Sequence, residues 1–444
     1  MPVERVEGTD VVYHLIAFDA NGKERSDDPD GVMSDLIAGK LADGGVTDVF
    51  IMSHGWRGDI PSAKRQYRRW IKAMAGQTAD RQRIREHRPG FKALLVGFHW
   101  PSEPFGEEDF EDAAAFALLL DAETPPPGID AMVDKWAARL GGGDQARDAL
   151  RTIIEAAAED PVPPSLPDHV REAYLQLDRA IGLGAAGVGG APDEDREPFD
   201  PDAAYEASFD DATDFGLGSM LGNLLTPLKQ LSFWAMKARG RSIGEGGGHA
   251  FLTRLLKVPG AERVRFHLMG HSFGCIVVTA MVSGPAGRGP VRPVSSVALV
   301  QGALSLWSYC NDIPLARGTP GYFTRFASRP DVAGPVLVTT TIHDLSLSFW
   351  YPKAAGVRDQ IDFDPQRLPQ YGALGIFGLR GPGPEVTALD VEPPTHEYGL
   401  QPGKIYNVKA DRVMRTGDRF SGAHSDIAHP EIAHLVWEAV RSAP

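Results

Sequence analysis

A serine between two glycines, Gly270-His271-Ser272-Phe273-Gly274, is the most chemically loaded pattern in this 444-residue sequence. An unassisted serine hydroxyl is a poor nucleophile. It needs a histidine to take its proton, a carboxylate to orient that histidine, and N–H donors to hold an oxyanion. The apolar run from Val264 to Met269 precedes Ser272 and a helical run from Cys275 to Val282 follows it, so the stretch reads as strand, sharp turn, helix. A serine on such a turn is forced into a strained backbone conformation. Small residues at 270 and 274 let the strand and the helix pass close to it. The pattern G-x-S-x-G also occurs by chance, so its weight depends on whether the rest of the chain supplies the missing parts.

Several stretches do. His54-Gly55-Trp56 closes an apolar run, and a glycine at a strand exit lets the next amide, that of Trp56, turn into the space above the sheet. There it would pair with the amide of Phe273 on an oxyanion. His54, on the strand end itself, is expected to hydrogen-bond backbone and hold the loop. For the acid, Asp344 ends the second strand after the serine, whereas Asp312 lies further into a loop after the first, and strand order favours Asp344. For the base, His424 sits in a glycine-flanked loop. His429 before Pro430 and His434 inside a helix read as structural, Asp426 as a residue that orients the loop or caps the helix, and His271 as a packing or hydrogen-bonding neighbour.

Positioning these groups requires a sheet with one functional edge. Apolar runs predict strands at Val11–Phe18, Thr47–Trp56, Phe91–Ser102, Val264–Gly270, Val294–Leu304, Pro335–Asp344 and Lys404–Met414. Asn21-Gly22 predicts a two-residue hairpin turn, so the chain should open with antiparallel edge strands. Helices are expected around 30–42, 63–75 and 250–257, with a last one from Glu431 to Val440 behind Pro430. Strands alternating with helices imply the α/β class and a mostly parallel central sheet flanked by helices. In such a sheet functional groups gather at the strands' C-terminal ends, where His54-Gly55-Trp56, Ser272, His343-Asp344 and His424 all fall. The segment from Leu345 to Gly403 is rich in Pro and Gly and reads as loop.

The alternation breaks between about Glu103 and Pro227. Apolar spacings at Ala146, Leu150, Ile153, Ile154, Ala157 and at Val170, Tyr174, Leu177, Ile181 mark helix faces. The organisation expected is a first core part at 1–102, a large helical lid or cap at 103–227, partly disordered between Ala185 and Asp214, and a second core part at 228–444 that carries the serine, acid and histidine. Phe215 to Leu225 and the amphipathic Gln230–Arg239 would pack inward, line an apolar pocket or touch lipid. Gly244-Glu-Gly-Gly-Gly-His249 lacks the preceding strand and the Lys-Ser/Thr ending of a phosphate loop.

Composition narrows the function classes. A formal net charge of −14 with no dense Lys/Arg cluster argues against nucleic-acid binding and against attraction to anionic lipid. Two cysteines, Cys275 and Cys310, exclude a disulfide scaffold and a cysteine-based zinc site. No cofactor and no metal is expected. There is no basic leader before an apolar core and no run long enough to span a bilayer, so a cytoplasmic location is expected, with signal-independent export left open. No feature of the sequence sets an oligomeric state.

The order of oxyanion loop, serine, acid and histidine, with their motifs, resembles the α/β-hydrolase superfamily of esterases and lipases over about residues 11–102 and 230–440. The resemblance implies Ser272 as nucleophile, His424 as general base, Asp344 as the orienting acid, and oxyanion amides from Trp56 and Phe273. It implies a cofactor-free hydrolase acting on a small-molecule or lipid carboxylic ester through an acyl-enzyme. Amides and thioesters stay open. Two other readings remain: a non-catalytic hydrolase-like scaffold that binds through its insertion, and an exported lipase-type effector acting on membranes. The insertion is larger and more acidic than the resemblance leads one to expect.

Overall fold

Strands and helices alternate along the chain and build one sheet. In a computed structural model, described at residues 3–27, 31–56, 59–102, 128–215, 223–328, 330–355, 368–417 and 421–444, nine strands are present. They are β1 (Val3–Arg5), β2 (Val12–Ala17), β3 (Asp48–Ser53), β4 (Ala93–His99), β5 (Arg265–His271), β6 (Ser296–Val300), β7 (Val336–Thr340), β8 (Val386–Asp390) and β9 (Ile405–Lys409). Their order across the sheet is β1-β2-β4-β3-β5-β6-β7-β9-β8, and every pairing but β1 with β2 is parallel. The protein is therefore of the α/β class with a mostly parallel, helix-flanked sheet.

The centre of the sheet reads as unbroken apolar sequence because both its faces are covered. Val49, Phe50, Ile51 and Met52 of β3 are all buried. Burying such a side chain contributes about 1.5–3 kcal/mol. On one face, Phe50 meets Trp437 of the helix Pro430–Ser442 edge-on at 5.5 Å. The Trp437 indole N–H donates to Met74 O at 2.9 Å and so ties in the helix Ile60–Gly76. The helix Gly274–Ser283 is buried along its whole length, as the run Cys275–Val282 demands. Gly244 and Gly248 are buried where the chain packs against that helix, and a Cβ on Gly244 would lie 2.7 Å from Val277 O. Close packing is the role of that glycine run.

Register aligns the strand exits. Ser53 pairs with Phe98 and with Gly270, His271 with Val300, Leu299 with Val338, and Thr340 with Lys409. The residues just beyond β3, β5, β6 and β7 thus emerge along one edge.

Two local expectations are corrected. The antiparallel edge exists, but its partner strand is Val3–Arg5, turning near Gly8, and the Asn21-Gly22 turn makes only the single bridge Phe18–Glu24. Asp19 accepts the N–H groups of Asn21 and Lys23, which closes a turn too short to propagate a hairpin. Within the segment read as loop, Val386–Asp390 forms the edge strand β8. Its side chains are half-buried or exposed without alternation, so no period betrays it.

The chain divides into two compact units. The first comprises 1–102, 239–351 and 363–444 and contains the sheet. The second comprises 103–238 and 352–362, and its described residues are helical or irregular. Trp136, Leu150, Ile153, Val170, Tyr174 and Leu177 form its buried faces. Residues 183–200 hold no regular element, yet Arg196 is buried there, donating to Gly184 O at 3.0 Å and to Asp178 at 3.1 Å. Within the Ala185–Asp214 stretch expected to be loose, a helix runs over Pro201–Phe215, its start capped by Asp200, which accepts the Ala203 N–H. Residues 352–355 join this unit through Trp234 Nε1 to Ala354 O at 2.8 Å. The start of the acidic stretch, 103–127, and most of Phe215–Leu225 lie outside the described residues. Among the described residues, no helix is long and apolar enough to cross a membrane.

Candidate active site

Ser272 has φ +55°, the left-handed conformation that side chains rarely adopt. Its flanking glycines are sterically required. A Cβ on Gly270 would stand 2.5 Å from Gly274 O, and one on Gly274 would stand 2.6 Å from His54 O. The turn is locked by backbone bonds on both sides: Ser272 N to Val300 O at 3.1 Å, and Cys275 N and Ala303 N to Ser272 O at 3.1 and 3.2 Å.

His424 reaches this serine from 152 residues away: its Nε2 lies 2.8 Å from Ser272 Oγ. Its Nδ1 lies 2.7 Å from Asp344 Oδ2. A carboxylate only accepts, so Nδ1 carries the hydrogen and Nε2 turns its lone pair toward the hydroxyl. That is the tautomer able to take the serine proton. The loop is set by Gly422 at φ +55°, by Ala423 N to His343 O at 2.9 Å, and by the bridge Asp344–Gly422. Asp426 orients the same loop, accepting the N–H groups of Arg415 and Thr416 at 3.0 and 2.9 Å and facing His429 Nε2 at 2.7 Å. Burial pushes the Asp426 carboxyl upward, but these donors outweigh it and hold the group below its ordinary value.

Asp344 is fully buried and its charge is met by three donors: His424, the Leu347 N–H on Oδ1 at 3.0 Å, and Gln301 Nε2 on Oδ2 at 3.0 Å. Gln301 was not among the candidates read from sequence. It follows β6, is buried, and has φ +47°. Thr339 fixes its side chain, the Thr339 hydroxyl donating to Gln301 Oε1 at 3.2 Å. The available signal was a lone amide ending an apolar strand next to Gly302. Asp312 instead holds the Gly318 N–H at 2.6 Å.

Trp56 and Phe273 stand together, their rings stacked at 5.8 Å between centroids. His54 bonds backbone as expected, its Nδ1 lying 2.9 Å from Gly55 O; its main-chain N–H donates to Tyr67 Oη at 3.1 Å, and Tyr67 in turn donates to Phe98 O at 2.6 Å. Burial pushes the His54 imidazole down to about 4. His271 is buried and held at about 3 by burial and by its neighbour His424. Its Nε2–H donates to His424 O at 2.8 Å, so this neighbour of the serine steadies the histidine loop.

Among the described residues, Asp80, His434 and Glu438 form the one acid and histidine cluster compact enough for a metal ion. Its ligand atoms are already engaged. His434 Nδ1 and Nε2 face Asp80 Oδ2 at 2.8 Å and His396 O at 2.6 Å, Arg83 faces Asp80 at 3.3 Å, and Arg441 grips Glu438 at 2.8 Å. With an acceptor at each ring nitrogen, His434 favours its protonated form. Burial pushes it down, but Asp80 and the His396 carbonyl raise it above the ordinary histidine value. His434 and His429 are thus each held by a carboxylate of the framework.

The arrangement brings together a hydroxyl on a strained turn, an imidazole in the accepting tautomer and a buried carboxylate. Comparison with known proteins found that no family model, no curated protein and no solved structure matches this chain.

Proposed function

We propose that this chain is a serine hydrolase of α/β-hydrolase type that cleaves carboxylic esters through an acyl-enzyme. One observation carries the reading: the continuous hydrogen-bond chain from Ser272 Oγ through His424 to Asp344, at 2.8 and 2.7 Å. Ser272 Oγ attacks the ester carbonyl carbon while its proton passes to His424 Nε2. The carbonyl oxygen becomes an oxyanion facing the amides of Trp56 and Phe273. The tetrahedral adduct collapses, the C–O bond to the alcohol breaks, and Nε2–H protonates the departing alkoxide. Water then attacks the acyl-enzyme with His424 again as base, releasing the acid and restoring Ser272. Asp344 keeps the imidazole in register and stabilises the imidazolium formed in each half.

The test is labelling with a fluorophosphonate probe together with turnover of a short p-nitrophenyl ester. A single adduct is expected, lost in Ser272→Ala, and kcat should fall by about 10⁴-fold or more in His424→Ala. Equal labelling of Ser272→Ala, or no labelling of the unsubstituted chain, sinks the proposal in favour of a binding scaffold.

A further inference from the structure

The carbonyl of Gly55 is pinned by two donors. His54 Nδ1 lies 2.9 Å from it and Ser102 Oγ lies 2.9 Å from it. A carbonyl only accepts, so both groups donate, and together they occupy both lone pairs of the oxygen. The peptide unit is planar and trans, with its N–H pointing opposite to its C=O. Holding the Gly55 carbonyl on one side therefore aims the Trp56 N–H to the other. This peptide begins beside the candidate nucleophile: a Cβ on Gly55 would fall 2.7 Å from Ser272 Cβ and 3.3 Å from its Oγ.

The donors are themselves fixed. Since His54 Nδ1 carries its hydrogen, Nε2 presents a lone pair, and it receives His99 Nδ1 at 3.0 Å and the Trp100 N–H at 3.3 Å. The Trp100 indole N–H closes the loop by donating to His54 O at 3.2 Å. The accepting Nε2 requires a neutral His54, and burial keeps both His54 and His99 neutral, at about 4 and about 2. Ser102 is fully buried and follows Pro101, whose ring restricts the backbone leading to it.

We propose that Ser102, acting with the His99–His54 pair, is a positioning residue that orients the Gly55–Trp56 peptide so that the Trp56 N–H meets the oxyanion formed on Ser272. The inference rests on the hydrolase reading and adds to it the device that pre-aims one oxyanion donor before substrate arrives. No reorganisation of that peptide is then needed at the moment of reaction.

The experiment uses the full-length chain and an aryl trifluoromethyl ketone, which forms a hemiketal oxyanion on a nucleophilic serine. The oxyanion titration is followed by fluorine NMR alongside kcat and KM for a p-nitrophenyl ester. In Ser102→Ala the oxyanion should titrate at higher pH than in the unsubstituted chain, and kcat should fall about tenfold with KM unchanged. Ser102→Thr, which keeps the hydroxyl, should restore both. As a second arm, His99→Ala should behave like Ser102→Ala, whereas His99→Asn, whose amide N–H replaces Nδ1–H, should behave like the unsubstituted chain. A purely structural role would lower the melting temperature and leave the oxyanion titration where it was, which overturns the inference. An unsubstituted chain that forms no adduct at all overturns the hydrolase reading, and this inference with it.

Discussion

Gln301 donates through Nε2 to Asp344 Oδ2 at 3.0 Å, the same oxygen that receives His424 Nδ1 at 2.7 Å. The amide thus holds the very oxygen that orients the imidazole. It does so at φ +47°, on the strand exit next to Ser272, whose φ is +55°. Two adjacent strands leave the sheet in conformations that side chains avoid, each placing a polar group at the candidate site, as strain concentrated at functional positions leads one to expect. Gln301→Leu should lower ester turnover about tenfold with little change in KM, because the imidazole loses the anchor of its own anchor. Gln301→Glu should be worse at neutral pH, since two carboxyls about 3 Å apart share one proton. Unchanged kcat in Gln301→Leu would remove the role.

The strain at Ser272 can be measured without activity. Ser272→Gly and Ser272→Ala lose the same hydroxyl and the same bond to His424, and differ in how well each residue tolerates a positive φ. The glycine variant should be the more stable of the two by about 1 kcal/mol in denaturant melts. Equal stability, or a more stable alanine variant, would show that the turn stores no strain.

Gly274→Ala should be severe. The added Cβ would meet backbone, with His54 O at 2.6 Å, and backbone there belongs to the buried exit of β3. No flexible side chain is available to give way, so a loss of about 2–3 kcal/mol is expected in chemical denaturation, with the fluorophosphonate reaction reduced as well. A loss below about 0.5 kcal/mol would mean that the turn can open.

Stability should fall on both sides of neutrality, through different histidines. His54, His99 and His271 are held near 4, 2 and 3 by burial, so the unfolded chain binds protons that the folded chain refuses. Stability from these groups is present above the unfolded value of about 6.5 and is lost as the pH falls; at pH 5 each contributes an order of 2 kcal/mol of loss. His434 is raised, so its contribution is full below about 6.5 and fades as the pH rises through its native value. Melting temperature against pH should therefore peak near neutrality. His434→Gln should flatten the alkaline arm and leave the acid arm in place.

Much of the framework is local and was legible before folding. The apolar runs of β3, β5, β6 and β7 announce strands buried on both faces. Gly270 and Gly274 announce a turn around Ser272, because backbone crowding there is a property of the residues themselves. Where the local signal is weak the reading failed. β8 is a five-residue edge strand without a buried face, and the antiparallel partner of β2 is a three-residue strand of Val, Glu and Arg. The helix at Pro201–Phe215 follows a cap at Asp200 that the Gly, Asp and Pro content of the stretch hides.

Residue types and spacing therefore determined the α/β alternation, the bent serine turn and a short roster of side chains able to meet it. Which histidine turns toward Ser272, which oxygen of Asp344 is held by Gln301, and that Ser102 closes on Gly55 were decided only by tertiary structure. The reason is physical: strand register brings exits from distant parts of the chain to one edge, and hydrogen-bond partners 43 to 152 residues apart are chosen by that register, which no local window contains.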